Sequence, residues 1–368
     1  MRASLILASV LSIALGATAA LAADKAEKKV LNVYNWSDYV AKDTLALFEK
    51  ETGIKVKYDV YDSNETLEAK LMAGRSGYDV VFPSASPYLI QLIQANVFRP
   101  LDKAKLTNLG NLDPAVMKTL ASADPGNAYG VPYMIAATGI GYNVKHVTTH
   151  LGGAAPESWS MLFDPETAAK LKPCGVSLLD TPTEVFPAAL AYAGKNPTSF
   201  DKDDMKFAAD MVRKVKPSIR YFHSSRYIND LANGELCAAQ GYVGDLVQAR
   251  DRAKEAGKGV EVGILIPKEG AVVNIDVMVI PKDAPHPDNA HLFIDFLMRP
   301  EIIAAVTNET GYANAVLPAA KFVDEAIRTD PVIYPPAEVL AREFTVPPAP
   351  KAYDRDRTRE WTKVKSGK

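Results

Sequence analysis

The segment VLNVYNWSDYVAKDTLALFEKETGIKVKYDVYDSNETLEAKLMAGRSGYDVVFPSAS, residues 30–86, decides the fold. Short apolar runs at 30–34, 56–60 and 78–82 have the composition of strands. The stretches between these runs have the length and the boundary residues of helices. Strands that alternate with such helices are typical of β-α-β units and a mostly parallel sheet, so the segment predicts an α/β fold.

Capping residues mark the ends of the two helices in this segment. Asp43 is suited to cap a helix from Thr44 to Glu51, which Gly53 ends. Asp62, with Glu65 three residues later, resembles a capping box and predicts the start of the second helix.

Polar and aromatic residues follow the predicted strands at their carboxyl ends. Trp36, Asp38 and Ser84 lie in these loops, and ligands of parallel α/β sheets bind at this edge. Two later strands, 174–179 and 236–240, are each predicted to lead into a polar loop, over 180–184 and 241–245. A helix over 246–256 follows the second of them.

Two extended segments suggest that the chain crosses twice between two lobes. They span 138–143 and 272–281, and 368 residues exceed what one hydrophobic core usually organises. The predicted division is a first lobe over 23–137, a second lobe over 138–275, and a return to the first lobe over 276–368. The C-terminal segment is expected to pack across both lobes.

Composition and charge exclude several classes of protein. The chain is 48% hydrophobic and 23% charged, as folded globular proteins are. With 42 Lys+Arg against 44 Asp+Glu the net charge is −2, and no segment concentrates basic residues. This balance argues against nucleic acid as a partner.

The N-terminus has the pattern of a secretory signal peptide. Residues 1–22 combine Arg2, an apolar run and the cleavage site Ala20-Leu21-Ala22, and charged residues follow at once. The mature chain is therefore expected to begin at Ala23 and to be exported. A lipid anchor would need a Cys directly after the signal, and the first one is Cys174.

Cys174 and Cys237 are the two cysteines of the chain. In an oxidising compartment such a pair is more often a disulfide than two free thiols, and two buried thiols remain the alternative.

Motifs for metal, cofactor or covalent chemistry are missing from the sequence. His146 and His150 share a helical face without the Glu of the H-E-x-x-H zinc motif. Gly139-Ile140-Gly141 lacks the third glycine of a dinucleotide fingerprint, and neither a nucleophile elbow nor a phosphate-binding loop occurs. The sequence thus predicts no metal and no cofactor. Because a catalytic pair of carboxylates leaves little signature, the missing motifs favour binding over catalysis and leave an enzyme open.

Eight motifs together resemble a known family. They are NWSDY (35–39), YDVYDSNETLEAKLMAG (58–74), PSAS (83–86), TGIGYN (138–143), RYFHSS (220–225), YINDLANG (227–234), IPKEG (266–270) and RTREWTKVKSGK (357–368). They resemble the periplasmic polyamine-binding receptors of ABC importers, in particular the putrescine-binding branch. The resemblance implies a two-lobed periplasmic binding protein of the type II, Venus-flytrap kind. Such a monomeric receptor closes on a diamine or polyamine in the periplasm and delivers it to a membrane permease.

The resemblance also implies a set of ligand-binding residues. The aromatic walls are Trp36, Tyr242 and Tyr312. The polar groups of the first lobe are Ser37, Asp38 and Ser84. The acids are Glu184 and Asp245 in the second lobe and Asp276 at the hinge. Two positions depart from the family pattern. Tyr242 stands where the putrescine receptors usually have Trp, and Asn274 stands where they have an aromatic ring.

The chemistry of a polyamine agrees with these residue types. Its ammonium groups, with a pKa near 10, need carboxylates at the ends and flat apolar walls between them. Single residues also have structural explanations: Asp245 as a helix N-cap, Glu184 as a solvated acid, Trp36 as core and Tyr312 as loop packing. Asp276 differs, because an unpaired acid within an apolar strand is costly to bury and favours a partner cation.

Two alternatives remain open at this point. One is a secreted hydrolase that uses Glu184 and Asp245 as acid and base. The other is a receptor of the same fold for a different cation, such as agmatine. The sequence favours a non-enzymatic receptor.

Overall fold

The computed structural model describes residues 27–367, and the predicted signal peptide lies outside them. Within this range the strands are β1 (Val30–Trp36), β2 (Lys55–Tyr61), β3 (Val80–Val81), β4 (Val131–Asn143), β5 (Val176–Leu178), β6 (Ile219–Phe222), β7 (Ala238–Tyr242), β8 (Val262–Leu265), β9 (Val273–Met278) and β10 (Ala313–Asn314). The α-helices are α1 (Thr44–Thr52), α2 (Asn64–Met72), α3 (Ile90–Gln94), α4 (Pro114–Leu120), α5 (Val144–Leu151), α6 (Ser160–Phe163), α7 (Pro165–Leu171), α8 (Pro182–Tyr192), α9 (Lys202–Val215), α10 (Tyr227–Ala232), α11 (Val243–Ala256), α12 (Pro287–Leu297), α13 (Pro300–Thr310), α14 (Glu325–Arg328), α15 (Ala337–Leu340) and α16 (Lys351–Ser366).

The first sheet is parallel, as the segment 30–86 predicts. Its strand order is β2-β1-β3, and Val33 of β1 pairs with Tyr58 on one side and Val80 on the other. Strand and helix alternate through this segment, and Gly53 ends α1 in a left-handed conformation. The α/β class of the fold is therefore confirmed.

The predicted cap of α1 is correct in position, and the predicted cap of α2 is wrong. Asp43 is the N-cap residue of α1, although its side chain makes no hydrogen bond to the start of the helix. The N-cap of α2 is Ser63, whose Oγ accepts a hydrogen bond from the backbone N–H of Thr66. The cap therefore lies one residue later than predicted, where the hydroxyl of Ser63 accepts from a backbone N–H that has no partner within the helix.

The second sheet is organised around the long strand β4. The sheet order is β10-β4-β7-β5-β6, and β8 and β9 also pair with β4. The first half of β4 pairs with β9 and the second half pairs with β7 and β8, all antiparallel. Both predicted extended segments are strands of this sheet, but they do not pair along their length: residues 138–143 of β4 pair with β7 and β8, and β9 pairs with residues 131–137.

Two hydrophobic cores lie on either side of these strands. We call the cluster built mainly from residues 31–134 and 277–333 the first core, and the cluster from 137–271 with 353–364 the second core. Residues of α16, among them Trp361, pack into the second core. The exact lobe boundaries given by the sequence stay a prediction.

Cys174 and Cys237 form a disulfide, as predicted. Their Cα atoms lie 5.2 Å apart, and the bridge joins the turn before β5 to the start of β7. A loop with a sequence separation of 63 residues stabilises the fold by about 4 kcal/mol in the chain-entropy model. Within residues 27–367, no helix has both the length and the apolar character that crossing a bilayer demands.

Candidate ligand-binding site

A narrow cavity lies between the two cores. It has about 500 Å³ of atom-free space, part of which is continuous with solvent. Its lining residues are Trp36, Ser37, Tyr39, Asp62, Asn64, Ser84, Ala136, Thr138, Glu184, Ser224, Tyr242, Asp245, Val272, Asn274, Asp276 and Tyr312. The structure therefore brings together every residue of the predicted set except Asp38.

Strand ends and helix starts position the main side chains. Trp36 is the last residue of β1 and Tyr242 the last of β7, so both emerge at carboxyl ends of strands. Glu184 and Asp245 lie in the first turns of α8 and α11. The polar loops predicted over 180–184 and 241–245 are thus wrong in part, because these helices begin at Pro182 and Val243.

Asp276 is an acid buried in the middle of β9, with 4% of its surface exposed. Its Oδ1 accepts a hydrogen bond from Ser84 Oγ at 2.6 Å, and its Oδ2 accepts one from Tyr39 OH at 2.7 Å. Asn64 donates in turn to Ser84 Oγ at 2.9 Å, which fixes the hydroxyl as a donor to the acid. Burial raises the pKa of Asp276 to about 6, although both hydrogen bonds lower it.

Asp245 is held by two tyrosine hydroxyls. Tyr227 OH donates to its Oδ2 at 2.6 Å, and Tyr312 OH donates to its Oδ1 at 2.8 Å. Both oxygens therefore accept from side chains, and the explanation of Asp245 as a helix N-cap does not hold. Burial raises the pKa of Asp245 to about 7, against the effect of the two hydrogen bonds.

Glu184 is a buried acid without a complete set of partners. It is 8% exposed, and its Oε2 has no hydrogen-bond partner within residues 27–367. The explanation of Glu184 as a solvated acid is therefore wrong. Burial raises the pKa of Glu184 well above its usual range, and the nearby charges of Glu65 and Asp276 add to the effect.

Aromatic rings line the cavity in two pairs. The ring centroids of Trp36 and Tyr242 lie 5.8 Å apart at an angle of 68°, and those of Tyr39 and Tyr312 lie 4.7 Å apart at 87°. Trp36 Nε1 donates to the carbonyl of Phe82 at 2.8 Å, which fixes the indole. Trp36 and Tyr312 are also members of the first core, so each both packs the core and lines the cavity.

Two further acceptor atoms in the lining lack partners. Asn274 Oδ1 and Thr138 Oγ1 are buried and make no hydrogen bond within the described chain. Asn274 of β9 pairs with Ala136 of β4, which also lines the cavity. The departure from the family pattern at position 274 is therefore part of the cavity wall.

Asp38 lies outside the lining. Its carboxylate forms an ion pair with Arg252 at 2.7 Å, and its backbone has a φ of 55°. Its carbonyl accepts a hydrogen bond from Gln248 Nε2 at 3.2 Å. In this structure Asp38 thus joins the loop after β1 to α11 at the edge of the cavity.

Some lining residues were not identified from the sequence. Tyr39, Asn64 and Ser224 lie inside the quoted motifs 35–39, 58–74 and 220–225, which was the available signal. For Asp62, which also lines the cavity, the sequence predicts a capping role instead. Thr138 lies in a motif as well, but its contact with the cavity depends on the pairing of β4 with other strands.

The charge of the cavity determines which ligands it can hold. None of the lining residues found within 27–367 is Lys, Arg or His, whereas Asp62, Glu184, Asp245 and Asp276 are acidic. Its unpartnered oxygens call for a ligand that donates hydrogen bonds and carries positive charge. Aromatic faces can hold the apolar part of such a ligand and its cationic ends.

A cleft of this kind between two α/β lobes defines a solute-binding receptor. The chain belongs to the family of bacterial extracellular solute-binding proteins, whose model matches residues 44–333. It is 54% identical over 345 residues to the putrescine-binding periplasmic protein PotF of Escherichia coli (strain K12), with 93% of each chain covered. It is 51% identical over 361 residues to the putrescine-binding periplasmic protein SpuD of Pseudomonas aeruginosa (strain UCBPP-PA14), with 98% of each covered.

A solved structure shows the same architecture. The spermidine/putrescine ABC transporter protein of Listeria monocytogenes superimposes with a TM-score of 0.83 at 29% identity, covering 93% of this chain and 100% of that one. The two-lobed periplasmic-binding-protein fold is therefore confirmed. The protein is a solute-binding receptor and not an enzyme, which removes the hydrolase alternative.

Proposed function

We propose that this protein is an extracytoplasmic receptor that captures a small polyamine of the putrescine class and delivers it to an ABC permease. The names of PotF and SpuD support this ligand class, since both bind putrescine and both match nearly the whole chain. The residue types that line the cavity support it independently.

The observation that carries the proposal is the unpartnered Oε2 of buried Glu184. A carboxylate oxygen that is buried without a donor loses its hydration without compensation. An ammonium group supplies both the opposite charge and the missing N–H donors. Asp245 and Asp276, whose hydrogen bonds come only from neutral hydroxyls, have the same need for a positive charge.

Closure of the two lobes around the ligand is the proposed mechanism. The acids come from different parts of the molecule, with Glu184 and Asp245 on second-core helices and Asp276 on β9 beside Ser84. A dication that contacts all three binds the closed arrangement better than an open one and shifts the population toward it. The closed shape is then what the permease recognises.

The proposed location is the periplasm, as for the relatives named above. The finer expectations are a cleaved signal peptide, no lipid anchor and a monomeric receptor. The pattern of residues 1–22 and the position of the first cysteine support the first two.

Calorimetric titration of the mature protein with putrescine, spermidine, agmatine and cadaverine tests the proposal. Asp245→Asn and Asp276→Asn are each expected to weaken binding more than tenfold, because loss of one member of a desolvated charge pair costs about 2–5 kcal/mol. Asp230→Asn is the matched control, since Asp230 is also buried and accepts from Tyr221 OH but lies outside the cavity. Losses below about 1 kcal/mol at both cavity acids would contradict ligand contact.

A further inference from the structure

Two histidines and a cysteine meet on the surface of the second core, away from the ligand cavity. His146 and His150 lie one turn apart on α5, with ring centroids 6.4 Å apart and the rings within 16° of parallel. Cys174 lies in the turn before β5. The potential ligand atoms of these three residues all lie within 4.8 Å of one another.

The distances suit a tetrahedral ion after small rotations of the side chains. Zn²⁺ lies about 2.0–2.3 Å from His nitrogen and Cys sulfur, so its ligand atoms stand about 3.5 Å apart. All three side chains are partly exposed, which leaves the imidazole rings free to turn. A water molecule could take the fourth position, as in open zinc sites.

The two imidazoles also have no competing role in the described chain. No ring nitrogen of His146 or His150 makes a hydrogen bond to a residue within 27–367, whereas the ring of His286 contacts Asp79 and that of His291 contacts Pro287. Metal-binding histidines need such free nitrogens, in the neutral form. The rings of His146 and His150 are therefore available in a way that those of His286 and His291 are not.

We propose that His146, His150 and Cys174 form a transition-metal site for Zn²⁺ or a similarly thiophilic ion, and that reduction of the disulfide opens it. In the oxidised protein the sulfur of Cys174 is bonded to Cys237 and cannot act as a thiolate. A dithiol reductant supplies two electrons and two protons, which yields two cysteine thiols while the dithiol becomes a disulfide. Binding of the ion then releases the proton of the Cys174 thiol to solvent.

The metal and the disulfide are thus alternative partners of one sulfur atom. Because the ion binds the reduced protein better, it must by thermodynamic linkage also favour the reduced state of the pair. The ion would join α5 to the turn before β5 and so replace one cross-link in the second core by another. This inference is independent of the polyamine ligand, since none of the three residues lines the cavity.

Two single variants separate the metal site from the loss of the disulfide. Cys237→Ala and Cys174→Ala both remove the bridge, but only the first keeps the sulfur beside the histidines. Zn²⁺ affinity, measured by competition with a chromogenic chelator, is expected to be at least about tenfold tighter for Cys237→Ala than for Cys174→Ala or the oxidised wild type. Co²⁺ should give Cys237→Ala, but not Cys174→Ala, a sulfur-to-metal charge-transfer band.

Histidine variants complete the test in the Cys237→Ala background. His146→Ala and His150→Ala should each lower Zn²⁺ affinity at least about tenfold. Thr149→Ala is the control, because Thr149 is an exposed residue of the same helix, and it should leave the affinity unchanged. Circular dichroism establishes whether each variant is folded. If either cysteine variant is unfolded, the Zn²⁺ affinities of reduced and oxidised wild type are compared instead. The proposal would be overturned if Zn²⁺ bound with equal affinity to the two cysteine variants, to the reduced and oxidised wild type, or to the histidine variants and their parent.

Discussion

Asp245 and Asp276 each accept hydrogen bonds from two hydroxyl groups, yet burial raises the pKa of Asp245 to about 7 and that of Asp276 to about 6. Hydrogen bonds from neutral hydroxyls do not restore the hydration that each carboxylate loses, so burial shifts each acid toward its neutral form relative to an exposed aspartate. An unfolded Asp has a pKa near 3.9. Between about pH 4 and 7 the ligand-free folded protein therefore holds more protons than the unfolded chain.

This difference predicts opposite pH dependences for stability and for binding. The contribution of these two acids to the free energy of unfolding of the ligand-free protein should fall as pH rises from about 4 to 7, because the folded state binds more protons there.

Polyamine affinity should instead rise over pH 5.5–7.5, because the ligand requires ionised carboxylates. Calorimetry in buffers of different ionisation enthalpy should detect proton release on binding near pH 6.5. Asp276→Asn should release fewer protons, and binding without any release would contradict the prediction.

The side chain at position 274 should affect which polyamine the cavity prefers. An amide in place of an aromatic ring removes wall area worth about 0.5–2 kcal/mol toward a nearby cation, and its free Oδ1 can accept from an amine or guanidinium. We therefore expect weaker putrescine preference than in receptors with an aromatic ring here, with spermidine or agmatine binding at least comparably. Asn274→Phe should raise putrescine affinity and lower affinity for the larger ligand in competition calorimetry. Strong putrescine selectivity that this substitution leaves unchanged would contradict the prediction.

At the scale of elements, the start of α11 and the end of α13 fit together without a gap. Gly244 lies in the first turn of α11 with the ring of Tyr312 against its Cα, and a Cβ there would overlap that ring. Gly311, the C-cap of α13, has a φ of 71° and lies against Val247. Two glycines thus allow the close approach that brings Tyr312 to Asp245.

Gly244→Ala should therefore displace Tyr312 and weaken its hydrogen bond to Asp245. We expect a loss of about 1–3 kcal/mol in stability, as for other overpacked sites, together with weaker polyamine binding. Thermal unfolding and calorimetry measure the two effects. Gly110→Ala is the matched control, since a Cβ at Gly110 meets no atom within 4 Å. Wild-type affinity in Gly244→Ala would show that the position of Tyr312 does not matter for binding.

At the scale of the whole molecule, polar contacts join the two lobes around the cavity. Arg252 of α11 pairs with Asp38 after β1, and Thr183 of α8 donates to Glu65 of α2 at 3.0 Å. The side chains of Arg252 and Asp38 are both more than a third exposed, so their ion pair contributes at most about 1 kcal/mol. Such a contact adjusts the balance between open and closed forms without determining it.

Arg252→Ala is accordingly expected to shift the ligand-free protein toward the open form by a factor of about five or less. Small-angle X-ray scattering should show a larger radius of gyration without ligand and the wild-type value at saturating putrescine. Arg359→Ala, which removes an exposed arginine from α16, is the control. An unchanged radius in Arg252→Ala together with unchanged affinity would mean that the ion pair has no part in closure.

The sequence by itself determined the α/β class, the two-lobed fold, the disulfide partners and most of the residues that line the cavity. Local patterns suffice for these features, because strand and helix periodicity, a single pair of cysteines and long family motifs are all written along the chain. The sequence was wrong where several residues compete for one local role, as Asp62 and Ser63 do at the cap of α2.

Only the tertiary structure decided how the side chains share their partners. It pairs Asp38 with Arg252, which lies 214 positions further along the chain, and within residues 27–367 it leaves Glu184 Oε2 buried without a donor. It also brings Cys174 beside His146 and His150, which the sequence had treated as a histidine pair without a third ligand. Burial and long-range contacts set these pairings, and neither can be read from spacing along the chain.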